Sequence, residues 1–176
     1  MKRIHIIPAC LVILLLSQIT CRNLGVLGKN TKLPNSRLNP YRGAVKDILP
    51  EQAGDYTLVS TSGLKEIEQE LTNPSDGVGA IYNSSKNHTV QHLLASFASA
   101  AEANKELDKA LKRYQDAKMN LRIEEVKDTS GQTVGRRIIV NDRDTEAMNW
   151  TNGSLYCTAV SYTGYTTEFA KNLPYY

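Results

Sequence analysis

The side chains best suited to chemistry are two histidines, an internal cysteine and a few acidic or glycine-rich clusters. His88 and His92 stand four apart, a spacing that lets two imidazoles share a metal when both project from one face of a helix. Here they fall in a turn and a strand. No nearby His, Cys or carboxylate pattern completes a ligand set, so neither a metal nor a cofactor is expected. A Ser–His–Asp arrangement assembled from dispersed residues stays open as the competing reading, because such triads are recognised by geometry rather than spacing. Neither a G-x-S-x-G elbow nor an H-E-x-x-H pair is present, and Gly77-Val78-Gly79 lacks the third glycine and following helix of a phosphate loop. Glu124-Glu125 and Asp142 with Asp144 read as the solvated faces of a strand and a turn. Cys157, between Leu155 and Ala159, reads as a buried, inert thiol.

Four N-x-S/T sequons, at Asn83, Asn87, Asn149 and Asn152, would matter in a secreted glycoprotein module. Two of them flank Trp150 on a tight hairpin, where glycans would crowd each other, and this weighs against modification. The aromatic residues are the stronger signal. Tyr156, Thr158, Val160 and Tyr162 alternate onto one strand face, and Leu155, Cys157 and Ala159 onto the other. Small Cys157 and Ala159 suit close approach of the main helix. The tyrosine face, with Trp150 across the hairpin and Tyr175 and Tyr176 beyond, is then either covered by the terminal helix through Phe169 and Leu173 or left for a partner. Rings that offer area and a polar handle are common at such surfaces. Trp150, Tyr156, Tyr162, Tyr175 and Tyr176 are therefore the candidate residues for a protein or small-ligand partner.

The elements that must position these groups follow from periodicity. Ser99 and Glu102 form a capping box, and Ala103, Leu107, Ala110, Leu111 and Tyr114 recur on one face of a helix over residues 99–117. Lys105, Glu106, Asp108, Lys109, Lys112 and Arg113 cover its other faces, with Asp108 and Lys112 at a favourable i,i+4 spacing. Alternating apolar residues predict strands at 56–61, 78–82 and 88–97 before this helix. A meander follows at 121–127, 134–140, 147–151 and 154–162. Leu64, Ile67 and Leu71 mark a short helix stopped by Asn73-Pro74, and Tyr165, Phe169 and Leu173 a terminal one closed by Pro174. Asn152-Gly153 is the strongest hairpin signal. Short turns between successive strands make the sheet antiparallel. The class is α+β: about six or seven strands with one long and two short helices.

The first twenty residues stand outside that domain. Lys2 and Arg3 precede an apolar run over 4–16 that is shorter than the ~20 residues a spanning helix needs, so it reads as a secretory signal, with an uncleaved anchor as the competing reading. Cys21 follows at the place where a bacterial lipoprotein carries its lipid. Gln18 and Thr20 depart from the usual residues there, and ordinary cleavage nearby is the alternative. Residues 21–48, rich in Gly, Asn and Pro, read as a flexible basic tether, and the folded domain as 49–176. Without Lys2 and Arg3 the chain keeps 19 basic and 18 acidic side chains. Arg22, Lys29, Lys32, Arg37, Arg42 and Lys46 place six of the basic ones in the tether, where anionic headgroups attract such residues. The rest of the chain then has 13 basic and 17 acidic side chains, a balance that excludes nucleic-acid binding, which needs a basic face.

With its leader ending in Cys21, Leu49-Pro50 and Gly54-Asp55-Tyr56 opening the domain, Phe97-Ala98-Ser99-Ala100 entering the helix, and Trp150-Thr151-Asn152-Gly153-Ser154 before a late strand, the chain resembles small bacterial lipoproteins with a PsbP-like fold. The likeness covers roughly residues 49–173. It implies an antiparallel sheet with helices against it, a location in the cell envelope (periplasmic or outer surface), membrane attachment through lipid on Cys21, and a non-catalytic accessory or binding role. No functional residue carries over from that family.

Overall fold

The computed structural model describes residues 40–67, 71–127 and 130–176. The leader, Cys21 and most of the expected tether lie outside the described residues. So does the Asp128-Thr129 part of one predicted turn.

Eight strands form one antiparallel sheet: β1 (Gln52–Ala53), β2 (Tyr56–Ser62), β3 (Asp76–Ser84), β4 (Thr89–Ser96), β5 (Asn120–Lys127), β6 (Thr133–Asp142), β7 (Thr145–Asn152) and β8 (Leu155–Tyr162). Their order across the sheet is β1-β2-β3-β4-β8-β7-β6-β5. The helices are α1 (Leu64–Ile67), α2 (Ala100–Asp116) and α3 (Tyr165–Ala170), with a 3₁₀ turn over Val45–Ile48. The α+β class and antiparallel sheet agree with the pattern reading. The strand count exceeds the expected six or seven because β1 is a two-residue strand with no periodicity to reveal it. The helices contain 4, 17 and 6 residues; residues 68–70, inside the predicted first helix, lie outside the described residues.

The chain reaches its far edge through α2. After β4 in the middle of the sheet, α2 crosses one face and delivers β5 to the opposite edge. The β5–β8 meander then returns strand by strand until β8 pairs with β4, His92 opposite Ala159 and Leu94 opposite Cys157. The two central strands are thus covered on both faces, and their side chains divide between two cores.

One core lies under α2 and gathers Leu93, Ala95, Phe97, Ile138, Val140, Ala147 and Tyr156 against Ala103 and Leu107. Ser99 caps the helix as its type predicts, its hydroxyl accepting from the Glu102 N–H at 3.3 Å. Glu106, expected on the solvent side, is buried and takes the Lys109 ammonium at 2.6 Å. Asp108 pairs with Arg136 of β6 at 2.7 Å rather than with Lys112, which approaches Asp116 instead.

The other core lies under α3 and gathers Leu58, Tyr82, Val90, Leu94, Ile139, Met148, Trp150, Cys157 and Ala159 against Phe169, Leu173 and Tyr175. The two faces of β8 are therefore covered the other way round from the sequence expectation. Tyr156 sits beneath α2, where the small Ala103 and Ala110 leave room for its ring. Cys157 and Ala159 sit beneath α3, where small size makes space for Trp150, Phe169 and Tyr175.

Residues 40–48 belong to this second layer and are not tether. Val45 and Leu49 are buried in it, the Tyr41 N–H donates to Ser154 Oγ at 2.7 Å, and the Val45 N–H donates to Asp76 Oδ2 at 2.9 Å. Pro40 and the absence of a regular period hid a segment that packs through isolated anchors. The β7–β8 turn is also one residue later than expected. Asn152 closes β7 opposite Leu155, and Gly153, at a φ of 58°, takes the first turn position, where a side chain would be strained.

Leu107→Ala, which empties a buried site under α2, is expected to cost ~2–5 kcal/mol, and Ser99→Ala ~1 kcal/mol for the lost cap. Urea unfolding of the two variants checks both values, and a Leu107→Ala midpoint equal to wild type would contradict the packing.

Candidate functional site

The residues singled out for chemistry do not converge. His92 projects from β4 into the core under α3, where its Nδ1 lies 2.7 Å from the Thr158 carbonyl oxygen and its Nε2 2.8 Å from the Tyr175 hydroxyl. A carbonyl only accepts, which assigns the proton to Nδ1 and makes Nε2 the acceptor of the Tyr175 O–H. Both nitrogens are thereby engaged. The ring stacks at 13° to Trp150 and at 11° to Tyr175, with Phe169 edge-on. Burial pulls its pKa down to about 4, opposed only by the Thr158 carbonyl bond. His88 is held elsewhere, stacked on Tyr165 with ring centroids 3.7 Å apart. Among the described residues no group of three or more His, Cys, Asp or Glu is placed to hold a metal ion. Cys157 is a free thiol whose pKa burial pushes well up, the direction of an unreactive group.

The expected aromatic patch is corrected in the same way. Trp150, Tyr156 and Tyr175 are buried. Tyr156 donates to Asn149 Oδ1 at 2.9 Å, and Asn149 Nδ2 donates to the Tyr114 hydroxyl at 2.9 Å. Trp150 Nε1 donates to the Tyr175 carbonyl at 3.2 Å. Tyr175 and Tyr176 do not stand free beyond the last helix: the core needs their rings to close its second face. Tyr176 is half-buried, with the Arg137 guanidinium 4.0 Å above its ring and bonded to its hydroxyl. Of the five candidates only Tyr162, 63% exposed, faces solvent openly. Two sequons are affected too: Asn149 and Asn152 are buried, while Asn83 and Asn87 lie on the exposed β3–β4 hairpin.

A concave feature that pattern reading missed is a cleft of about 330 Å³ where the 3₁₀ turn meets the ends of β2 and β3. Ala44, Val45, Leu64 and Val78 give it apolar walls, and Lys46, Thr61, Ser62 and Asp76 a polar rim. Asp76 is spent on structure, one oxygen accepting from the Val45 N–H and the other from the Gly77 N–H at 2.8 Å. The Ser62 hydroxyl is buried without a hydrogen-bond partner, an arrangement that leaves a donor and an acceptor unused. The size suits a small ligand. Its one legible signal was Asp76 beside two glycines; its other wall comes from residues 44–46, which composition assigned to the tether.

No protein-family model matches the chain, and no curated protein matches it. No helix of the described residues is long and apolar enough to cross a membrane.

His92 makes stability depend on pH. Its folded pKa, about 4, lies below the ordinary 6.5, so the unfolded chain takes up a proton first as pH falls. The stabilisation is complete above about pH 6.5 and decreases toward pH 4, by roughly 3 kcal/mol for this residue. Urea melts followed by Trp150 emission, blue-shifted and shielded from iodide in the folded state, should show that fall. His92→Gln should flatten the profile over this window relative to wild type.

Proposed function

We propose that this is an exported, lipid-anchored, non-catalytic binding or accessory domain of the cell envelope, built as a PsbP-like sandwich and offering the Ser62–Asp76 cleft to a small ligand. The placement of His92 carries the non-catalytic reading. His92, one of the two histidines considered for general-base work, is neutral, enclosed by rings and bonded through both nitrogens to a backbone carbonyl and a phenol. A base must reach the proton that it abstracts, and here the reach is taken up inside the core.

Support for the address comes from Lys2 and Arg3, the apolar run over 4–16 and the cysteine that follows. Four basic residues of the expected tether before the folded domain, Arg22, Lys29, Lys32 and Arg37, would sit at headgroup level in an anchored chain, where each gains a modest attraction to anionic lipid. The half-apolar cleft supports binding. Its apolar walls would take the body of a ligand, and the exposed Lys46 and Thr61 at its rim would meet the ligand's polar groups.

Expression in a bacterial host and mass spectrometry of the N-terminal peptide test the reading directly. The expected product begins at Cys21 and carries acyl chains, and Cys21→Ser should move the protein from the membrane to the soluble fraction. An unmodified N-terminus downstream of Cys21 would overturn the anchor.

A further inference from the structure

The two edges of the sheet are unlike. At one, β1 contributes only Gln52 and Ala53 against β2, and the Leu58 N–H is taken by the Glu51 carbonyl at 2.8 Å. At the other, β5 pairs with β6 from Asn120 opposite Asn141 to Lys127 opposite Thr133, and no described strand lies beyond it. An edge of this length presents a row of unpaired N–H and C=O groups, which natural proteins usually shorten, cover or charge against pairing. Here α2 packs over β6, β7 and β8; on that face of β5 Leu121 packs at the margin of the core, and Ile123 is 47% exposed.

The charges on this edge alternate in sign instead of repeating one. Arg122 and Glu124 share a face and pair with each other at 2.9 Å, and Ile123 projects to the opposite face. In an antiparallel pair related by a two-fold axis, one residue lies opposite itself, and its neighbours lie opposite each other. Centred on Ile123, that axis sets Ile123 against Ile123, Arg122 against Glu124 and Glu124 against Arg122 of the second copy. Centring it one residue earlier sets Arg122 against itself; one residue later, Glu124 against itself. Like charges directly opposite are destabilising, whereas opposite charges and apolar pairs stabilise. Only the register at Ile123 satisfies all three residues.

We propose that β5 is a self-association edge, at which two copies of this chain pair antiparallel about Ile123 and join their eight-stranded sheets into one. The pairing satisfies the free backbone groups of both edges and covers both copies of Ile123. It does not use the cleft or the Cys21 anchor, so it stands or falls apart from the proposed function.

Charge reversal tests both partner and register. Sedimentation of the protein as purified, in mild detergent, should show a concentration-dependent dimer. Arg122→Glu leaves acids at both 122 and 124, and Glu124→Arg leaves bases at both, so in each variant like charges face each other across the axis and self-association should weaken by about tenfold. An equimolar mixture of the two should regain wild-type association, which misfolded variants could not do. Cysteine cross-linking provides a second measurement. Opposed residues of an antiparallel pair lie ~4.5–5.5 Å apart at Cα, within the span of a disulfide. Under copper–phenanthroline, Ile123→Cys should give a cross-linked dimer above the background of Ile123→Ser, and Glu125→Cys, which would face Leu121, should not. A monomer at every concentration, dimers indifferent to both reversals, a mixture no better than its components, or equal cross-linking at 123 and 125 would each overturn the proposal.

Discussion

Beneath α3 the protein buries three polar groups among its largest rings, and a single residue satisfies them all. Tyr175 donates its hydroxyl to His92 Nε2 at 2.8 Å, and its carbonyl accepts from Trp150 Nε1 at 3.2 Å and Asn152 Nδ2 at 3.3 Å. Left without partners, buried groups of this kind cost about 1–3 kcal/mol each. These bonds fix where the chain lies after α3 and hold Phe169 and Leu173 on the sheet. Glu146 secures the start of the same layer: its backbone carbonyl accepts from Thr166 Oγ1, and its carboxylate from the N–H and hydroxyl of Thr167, each at 2.8 Å. The second cover is thus tied to β4 and β7 by directed bonds as well as by apolar area.

The opposite face follows the same rule with different parts. Asn149 and Thr151 alternate with Trp150 and so point toward α2, where Tyr114, Tyr156 and Asn104 meet them at 2.9–3.0 Å. A strand buried on both faces loses the apolar–polar alternation of a half-solvated one, and β7 is buried at seven of its eight positions. Each polar residue on it had to find a partner in one of the two covers. Gly135 shows how little slack remains, because a side chain there would collide with the Thr151 carbonyl oxygen.

Such a core consumes the groups that would otherwise make a site. Two of the four tyrosines of the expected patch, Tyr156 and Tyr175, became internal, along with Trp150 and His92. Among the described residues, the fold leaves the cleft beside Ser62, the edge of β5 and, of the expected rings, Tyr162 on the outside.

Much of the architecture was legible in sequence because it depends on local spacing. The period of 3.6 across Ala103, Leu107 and Ala110, the Ser99 cap, the antiparallel meander and the α+β class all follow from residues close together in the chain. What covers each face did not, because alternation divides a strand into two faces without saying which face meets which helix. Tyr156 went under α2 and Cys157 under α3 through the volumes of residues far away in sequence, the alanines of α2 and the rings of Trp150, Phe169 and Tyr175. The cleft stayed hidden for a related reason. Its walls come from residues 44–46, 61–64 and 76–78, and the first of these carries no period, only a buried Val45 and one hydrogen bond to Asp76. Local periodicity determines elements, whereas the partner of a face and the lining of a cleft are settled by volume and hydrogen bonding between segments that only the folded chain brings together.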